Sequence, residues 1–576
     1  MKTVLGINAV FHDSSAALLV DGRLAAFAEE ERYSRVRHAK RASIDATPLL
    51  PYLAIDEVLR CAGLDFSRID LVAYSFDPDA RYAALSRPVR DFGVPPGDYG
   101  GAEGERRLRE LALLTGPLLA ARYGRSVPVR FLPHHACHLA SAYYSCPWDE
   151  AALLTVDGIG ESDTCCWAKA RAGCIAALGR IEYPHSLGFL WERVTQWLGL
   201  KANLEEGTTM ALAAYGDPAR FAGALRRLLR PSQDGTFVVD PALARFRAPD
   251  LDGLEHLLGP RRMPDEPFLY EGADRLHADA AAALQALTEE VLLSLARRVR
   301  RDAKVPRLAM AGGVALNCLA NAALARSGVF DEIWVFPAAS DSGTAFGAAC
   351  LAWRGMSDSS PREEWRHAFK GPADEPGAVD KALSERRLKA VPLGDGAILE
   401  QTARLLERGK IVAWYEGAME AGPRALGHRS ILADPRRPAM RDRLNSRIKH
   451  RQPFRPYGPI VREHELSRYF DVPASACGPC RFMLCAAPVK DEARGRLPAL
   501  LHADGTTRPQ ALSRDAHPRL YELLGIFGCL SGVSVLINTS FNDREPIVGT
   551  PAHALETYLR GEVDALVLED RLLVKP

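Results

Sequence analysis

The sequence predicts an α/β protein of two domains, the first built from a duplicated unit. Three observations lead there. The chain has 576 residues, too many for one ordinary hydrophobic core. Residues 3–29 and 151–183 each read as strand, turn, strand, turn, strand, and helical pattern follows each stretch. Two later stretches run from an apolar strand through a glycine-rich turn into a helix.

Composition narrows the class. Hydrophobic residues make up 47% and charged residues 25%, and the formal net charge is +1. That balance suits a globular protein and gives no global attraction to nucleic acid or anionic membrane. No apolar stretch approaches the roughly 20 residues that span a bilayer. The opening "MKTVLGINAVFHDSS" breaks at His12-Asp13 and reads as a strand and turn rather than a signal peptide. A cytoplasmic location is therefore expected, with the 12 cysteines mostly reduced.

In chain order, "TVLGIN" leads through a polar turn to "SAALLV", then Asp21-Gly22, then "RLAAFAEEE". Asp-Gly between apolar runs signals a hairpin. "AALLTVDGIGESDTCCWAKARAGCIAALGRIEY" (151–183) repeats the plan, so the turns Phe11–Ser15 and Asp157–Glu161 are expected to face a cleft between two halves. Residues 277–302 read as a helix with basic residues at its C-terminal end. "RLAMAGGVALNCLANAAL" and "IWVFPAASDSGTAFGAACLAW" are strand–turn–helix units able to cradle phosphate, with Gly312, Gly313 and Asn317 as candidate nucleotide contacts. The polar, breaker-rich 356–373 marks a boundary between domains 1–357 and 358–576. The second domain offers strands in "KIVAWYEG", "RFMLCAAPV" and "GVSVLINTS" and a terminal hairpin turning at Glu569-Asp570. "CGPC" (477–480) has dithiol spacing but precedes a strand-like run and lacks a second cysteine pair, so a turn is expected.

"HHACHLASAYY" (134–144) carries the first candidate chemistry. His134 and His138 are four apart, which on a helix puts both imidazoles on one face, about 6 Å apart. Asp157 at a strand end and Asp341 at a glycine-rich turn could complete a set suited to iron(II), manganese or zinc; a pair of core histidines is the other reading. A zincin needs Glu after the first histidine, and His135 stands there. His12, in the first turn, is a candidate general base. The second candidate is the cationic stretch 421–461. A solvated basic face is the ordinary explanation. Arg424 and Arg455, however, sit in loops restricted by Gly and Pro, and Arg508, Asn538 and Ser540 add polar groups nearby in the pattern. Several anion-binding loops in one domain point to a highly charged ligand.

Taken together, "FHDSSAALLVDGRLAAFAEEER", "HHACHLASAYY", "TVDGIGE", "MALAAYG", "AGGVALN", "PAASDSGTAFGAA", "GPRALGHRSILADP" and "INTSFNDREPIV" span nearly the whole chain. In them the sequence resembles the ATP-dependent O-carbamoyltransferases of natural-product tailoring, including those of tobramycin, cephamycin and Nod-factor synthesis. The resemblance implies an actin/Hsp70-like (ASKHA) first domain and a YrdC-like second domain. It implies that carbamoyl phosphate and ATP, with Mg2+, form carbamoyl adenylate in the second domain, and that the first passes the carbamoyl group to a hydroxyl of a small molecule. It makes His134, His138, Asp157 and Asp341 metal ligands, usually for Fe(II). It makes His12 the base near the acceptor, and Arg37 the replacement for a lysine of relatives. Arg424, Lys449, Arg455, Arg508 and Ser540 match the carbamoyl phosphate and ATP site. Gly207-Thr208 departs from the Gly-Lys of relatives and removes a cation. The expected partners are the hydroxyl acceptor, ATP and carbamoyl phosphate, with no nucleic acid and no membrane; a homodimer is allowed. The acceptor pocket is expected from 76–126 and 217–276. Two alternatives stand: threonylcarbamoyl modification of tRNA, which the near-neutral charge opposes, and an actin/Hsp70-like ATPase, which leaves the second domain's arginines without a purpose.

Overall fold

A computed structural model describes residues 1–85, 93–264, 266, 268, 272 and 274–576; parts of the stretches expected to form the acceptor pocket therefore lie outside the described residues. The chain forms two compact units. Unit 1 comprises Met1–Glu30 and His38–Trp365, and unit 2 comprises Glu31–Arg37 and Arg366–Pro576. The division falls at Trp365/Arg366 rather than 357/358, because Glu363 and Trp365 form backbone bonds to Tyr144 and Ser145 of unit 1.

Unit 1 holds two five-stranded sheets. In chain order the strands of the first are β1 (Thr3–Asn8), β2 (Ser15–Val20), β3 (Arg23–Glu29), β4 (Leu71–Tyr74) and β5 (Val129–Phe131). Those of the second are β6 (Glu150–Val156), β7 (Asp163–Arg171) and β8 (Cys174–Glu182), followed after a small hairpin, β9 (Leu229–Pro231) and β10 (Phe237–Val239), by β11 (Arg307–Ala311) and β12 (Glu332–Val335). The spatial orders are β3-β2-β1-β4-β5 and β12-β11-β6-β7-β8. Each is an antiparallel meander of three strands whose first strand also pairs in parallel with the fourth, which pairs in parallel with the fifth. The two halves thus share one topology, the duplicated α/β plan read from the repeated meander. Asp21 and Gly22 take φ of 49° and 80°, and Ala172 and Gly173 take 50° and 77°, the left-handed pairs that tight hairpins require. The expected long helix runs Arg275–Ala303 with Arg300 and Arg301 in its last turn.

Two helices position the candidate site. His134–Ser145 is buried nearly all round, and Thr344–Arg354 packs across it. At their crossing a Cβ on Gly347 would meet the Cys137 carbonyl oxygen at 1.8 Å. Only glycine permits this approach, and Cys137 lies between His134 and His138 on the same helix. Gly347→Ala is therefore expected to cost about 3 kcal/mol or more through overpacking and to lower metal content, checked by thermal unfolding and elemental analysis.

Unit 2 is built on a seven-stranded mixed sheet. Its strands are β13 (Val412–Tyr415), β14 (Arg429–Ala433), β15 (Gly458–Arg462), β18 (Gln510–Leu512), β19 (Val535–Ser540), β20 (Ala565–Leu568) and β21 (Arg571–Val574); β16 (Ala487–Pro488) and β17 (Thr506–Thr507) form a separate ribbon. The spatial order of the sheet is β18-β15-β19-β14-β13-β20-β21. Helices Asp395–Glu407 and Pro518–Ser531 bury Ile398, Leu406, Leu520, Leu524 and Phe527 against Trp414, Leu432 and Leu536 of the sheet. "RFMLCAAPV" is not the strand expected: only Ala487–Pro488 forms a short strand and Val489 a single bridge to Phe470, and the residues before them turn. Its apolar side chains are buried without ladder bonds, a case that hydrophobic runs cannot distinguish. "CGPC" is a four-residue helix with neither cysteine in a disulfide, and burial raises the Cys477 pKa, which disfavours a redox thiolate.

Candidate metal centre and anion site

The candidate metal centre lies in unit 1, and its four ligand residues come from three segments. Helix His134–Ser145 begins after Pro133, which cannot cap it; Glu161 does so instead, its carboxylate accepting from the His134 backbone N–H at 3.0 and 3.1 Å. Glu161 also accepts from Asp77 N at 2.8 Å. Its loop is held by Arg81, which donates to the carbonyls of Gly160 and Glu161 at 2.9 and 3.1 Å and forms a bidentate pair with Glu105, both contacts 2.8 Å, in full burial.

On that helix the Nε2 atoms of His134 and His138 stand 3.1 Å apart. Asp157 Oδ2 lies 3.5 and 3.1 Å from them, and Asp341 Oδ1 lies 3.4 and 3.6 Å away. All four ligand atoms fall within 4.8 Å of one another. The surroundings suit a cation. His134 Nδ1 donates to the Ser75 carbonyl at 3.1 Å, which leaves its Nε2 lone pair directed inward. Asp157 Oδ1 accepts from Gly313 N at 2.9 Å, so Oδ2 is the oxygen offered. Two imidazoles and two buried carboxylates converging on one point form a mixed imidazole and carboxylate ligand set for a divalent metal. Burial alone would lower the His134 pKa, but Asp341 and Asp157 overcome it and hold it well above the usual histidine range. Burial would raise the Asp157 pKa; the two histidines instead hold it well below the usual carboxylate range. Burial and its two neighbouring histidines push His135 down to about 3, so it stays neutral, with Nδ1 2.8 Å from the Thr155 hydroxyl. Because the metal-free His134 carries a proton, loading must displace it. The metal dissociation constant is expected to weaken about tenfold from pH 7.5 to pH 6.5, measured by chelator competition.

His12 sits in the turn between β1 and β2. That turn abuts the Asp341 loop, because Ser15 Oγ donates to the Ser342 carbonyl at 2.7 Å. Burial alone would lower the His12 pKa, but Asp341, Asp13 and Glu192 raise it to about 10.

Unit 2 gathers cations. Lys449 is buried, and its Nζ donates to Ser540 O (2.6 Å), Ser540 Oγ (3.1 Å), Asn542 O (2.8 Å) and Asn542 Oδ1 (2.6 Å). Burial first, then Arg451 and, less, Arg455 depress its pKa against the opposing carboxylates of Asp543 and Glu545; burial depresses that of Arg451 too, with Arg508 adding to it. Four cations close enough to repel one another make a field that favours an anion. The loop bearing Arg424 is closed by Glu420, whose Oε1 accepts from the N–H groups of Leu426, His428 and Arg429 at 2.8–3.0 Å. Asn538 on the central strand β19 donates to Ala425 O at 3.2 Å and to Gln510 at 2.7 Å, which fastens the same loop to the sheet.

Two family models match, "Carbamoyltransferase N-terminus" over 103–350 and "Carbamoyltransferase C-terminus" over 403–575. Nodulation protein NolNO of Sinorhizobium fredii is 32% identical over 99% of this chain and 80% of its own length. The chain belongs to the carbamoyltransferase family.

This carbamoyltransferase is thus an enzyme that transfers carbamoyl groups. It is also 29% identical to 3'-hydroxymethylcephem-O-carbamoyltransferase of Streptomyces clavuligerus, over 92% of this chain and 91% of that one. Component A of the (R)-2-hydroxyglutaryl-CoA dehydratase of Acidaminococcus fermentans aligns with a TM-score of 0.33 at 16% identity, covering 62% of this chain and 99% of that one. No helix of the described residues is long and apolar enough to cross a membrane.

The carbamoyltransferase brings His134, His138, Asp157 and Asp341 together as the spacing and resemblance led one to expect. Gly313 holds Asp157, and Gly312, at φ 93°, lets the turn pass 2.4 Å (Cβ position) from the Val156 carbonyl. Asn317 caps its helix through Ala320 N at 3.0 Å and bonds Gln285 at 2.9 Å. Arg37 is exposed and belongs to the segment of unit 2, whereas the next residue, His38, joins Asp13 in unit 1. Thr208 is fully buried and supplies no cation. Sequence reasoning missed Glu161, Arg81, Ser75, His38 and Glu420. Only the basic run around Arg451 and the "INTSFND" segment containing Asn542 gave any sign of the unit 2 partners.

Proposed function

We propose that this carbamoyltransferase joins carbamoyl phosphate and ATP into carbamoyl adenylate in unit 2 and transfers the carbamoyl group to a hydroxyl of a small-molecule natural product in unit 1. The observation that carries this reading is the division of chemistry: a cationic, anion-ready site in one compact unit and a four-ligand metal centre beside a histidine in the other. Arg424, Arg455 and Arg508 would neutralise phosphate oxygens while Lys449 holds the Ser540–Asn542 turn in place. Carbamoyl phosphate is a poor donor to an unactivated alcohol, and a mixed anhydride with AMP is a better one. In unit 1, His134, His138, Asp157 and Asp341 would hold Fe(II) or another divalent ion, which supplies Lewis-acid stabilisation of negative charge. His12 would take the proton from the acceptor hydroxyl. The relative named for O-carbamoylation of a hydroxymethylcephem supports a hydroxyl as the acceptor group.

The test is to incubate the metal-loaded enzyme with ATP, Mg2+ and carbamoyl phosphate against a panel of a hydroxymethylcephem, an aminoglycoside, a macrolide and a chitooligosaccharide. AMP, pyrophosphate and a carbamoylated alcohol are expected. ADP as the product, or activity with threonine and bicarbonate in place of carbamoyl phosphate, sinks the reading.

A further inference from the structure

We infer that Asp13 and His38 are positioning residues for His12, forming a His–Asp–His relay that fixes which ring nitrogen of His12 faces the acceptor. Asp13 divides its two carboxylate oxygens between two imidazoles: Oδ1 bonds His38 Nδ1, and Oδ2 lies 3.4 Å from His12 Nδ1. His12 Nδ1 is buried and makes no hydrogen bond among the described residues; Asp13 Oδ2 stands 3.4 Å from it as an ion-pair contact, which a small ring rotation would turn into a hydrogen bond. The two rings stand 6.0 Å apart at 80°.

The backbone is organised around this arrangement. Asp13, His38 and Ala39 all occupy the left-handed region, with φ of 51°, 57° and 66°. Three non-glycine residues in that region are strained unless the surroundings impose it, and such strain gathers at functional sites. The surroundings do impose it. Asp13 N donates to the His38 carbonyl at 2.9 Å, and Lys40 N donates to the same oxygen at 2.8 Å. Asn8 Nδ2 donates to the carbonyls of His12 and Asp13 at 2.9 and 3.0 Å. The buried Lys40 ammonium ties Ala9 O, at the end of β1, to Ala46 O and Leu49 O, which clamps the 38–49 loop onto the His12 turn. Asn8 also accepts from Ser75 Oγ at 3.2 Å, and the Ser75 carbonyl accepts the hydrogen bond from His134 Nδ1, so the relay and the candidate metal ligands share one scaffold.

The chemistry follows, and the step rests on the carbamoyl-transfer reading above. The reacting form is the neutral ring, which the raised His12 pKa makes the minor one near neutral pH; with Asp13 ionised and accepting from Nδ1–H, that ring carries its lone pair on Nε2. The acceptor oxygen attacks the carbamoyl carbon, a new C–O bond forms, the bond from that carbon to the AMP phosphate oxygen breaks, and the hydroxyl proton passes to Nε2. Asp13 then faces the imidazolium. His38 donates to the far oxygen of Asp13 and keeps that carboxylate in place.

The test uses full-length, metal-loaded protein and two readouts. The first is nitrogen NMR of protein labelled at histidine, with the His12 signal assigned by its loss in His12→Asn. At a pH high enough to deprotonate the ring, above the raised pKa of about 10, the wild type is expected to show neutral His12 carrying its proton on Nδ1. Asp13→Asn, which keeps the left-handed backbone that Asn tolerates, is expected to shift it toward the Nε2–H form. The second is steady-state turnover of the panel alcohol that the wild type uses fastest. Asp13→Asn is expected to lower kcat on the order of 10^2- to 10^4-fold with KM within about twofold and unchanged metal content. His38→Gln, which still donates to Asp13, is expected to stay within about threefold, whereas His38→Phe loses tenfold or more. An unchanged His12 tautomer in Asp13→Asn overturns the inference. So does a second metal ion per chain that His38→Phe removes, since the three side chains would then be ligands. If the wild type carbamoylates no alcohol, the proposed function fails, and the NMR readout still decides the relay.

Discussion

His138→Ala is expected to leave the protein folded, bind its metal at least about 100-fold more weakly, and lose carbamoyl transfer by about 10^2- to 10^4-fold. The reasoning is geometric. His138 Nε2 makes the shortest contact of either histidine to the aspartates, 3.1 Å to Asp157 Oδ2, and its helix is held at its N-terminus by Glu161 and at Cys137 by the Gly347 crossing. Removing the imidazole deletes one donor of four without disturbing those supports. Loss of the partners that merely orient metal ligands already costs 10- to 100-fold in affinity, so loss of a ligand costs at least as much. The transition-state charge that a bound ion stabilises amounts to several kcal/mol, and about 1.4 kcal/mol corresponds to a factor of ten. Pyrophosphate release from ATP and carbamoyl phosphate is expected to stay within twofold, since the cationic site belongs to the other compact unit. Elemental analysis with separate assays of the two half-reactions checks this. Equal loss of both half-reactions would mean that the chemistry is not divided between the units.

Lys449→Met is expected to have the opposite signature. The lysine was expected to line the carbamoyl phosphate and ATP site; the structure buries it under the Ser540–Asn542 turn, where it donates to four oxygens. A methionine of similar length removes all four contacts; Ser540 O keeps Asn542 N at 3.1 Å and Asn542 Oδ1 keeps the Ser540 hydroxyl at 2.7 Å, but Asn542 O loses its ammonium donor, and the turn must move to find water. Displacing positioned groups by about 1 Å costs on the order of 100-fold in rate, so pyrophosphate release is expected to fall by about that factor. Metal content is expected to stay at the wild-type level. A lysine that served only as one phosphate contact among several arginines would instead weaken substrate binding, raising KM and leaving kcat close to normal. The kcat-against-KM pattern distinguishes the two roles.

Much of the site was legible before the fold. The i, i+4 spacing of His134 and His138 depends only on helical period, and Asp21-Gly22 on the φ that a hairpin turn demands. These are local rules, satisfied within a few residues. The anion site was legible as a charge pattern and as loops stiffened by Gly and Pro. The strand proposed for "RFMLCAAPV" failed because an apolar run records burial, and burial is common to ladder-paired strands and packed turns.

What the sequence by itself determined, then, is the set of donor types, the helix that pairs two of them, and the repeat that makes unit 1 a duplicated α/β body. What only the tertiary structure decided is which distant partner completes each local fragment. Glu161 caps a helix 27 residues before it, Gly313 aims an aspartate 156 residues away, and His38 reaches Asp13 across 25 residues and a lysine-clamped loop. The physical reason is that a hydrogen bond between remote segments leaves no periodicity in the chain. It exists only where packed sheets and helices have already fixed both ends.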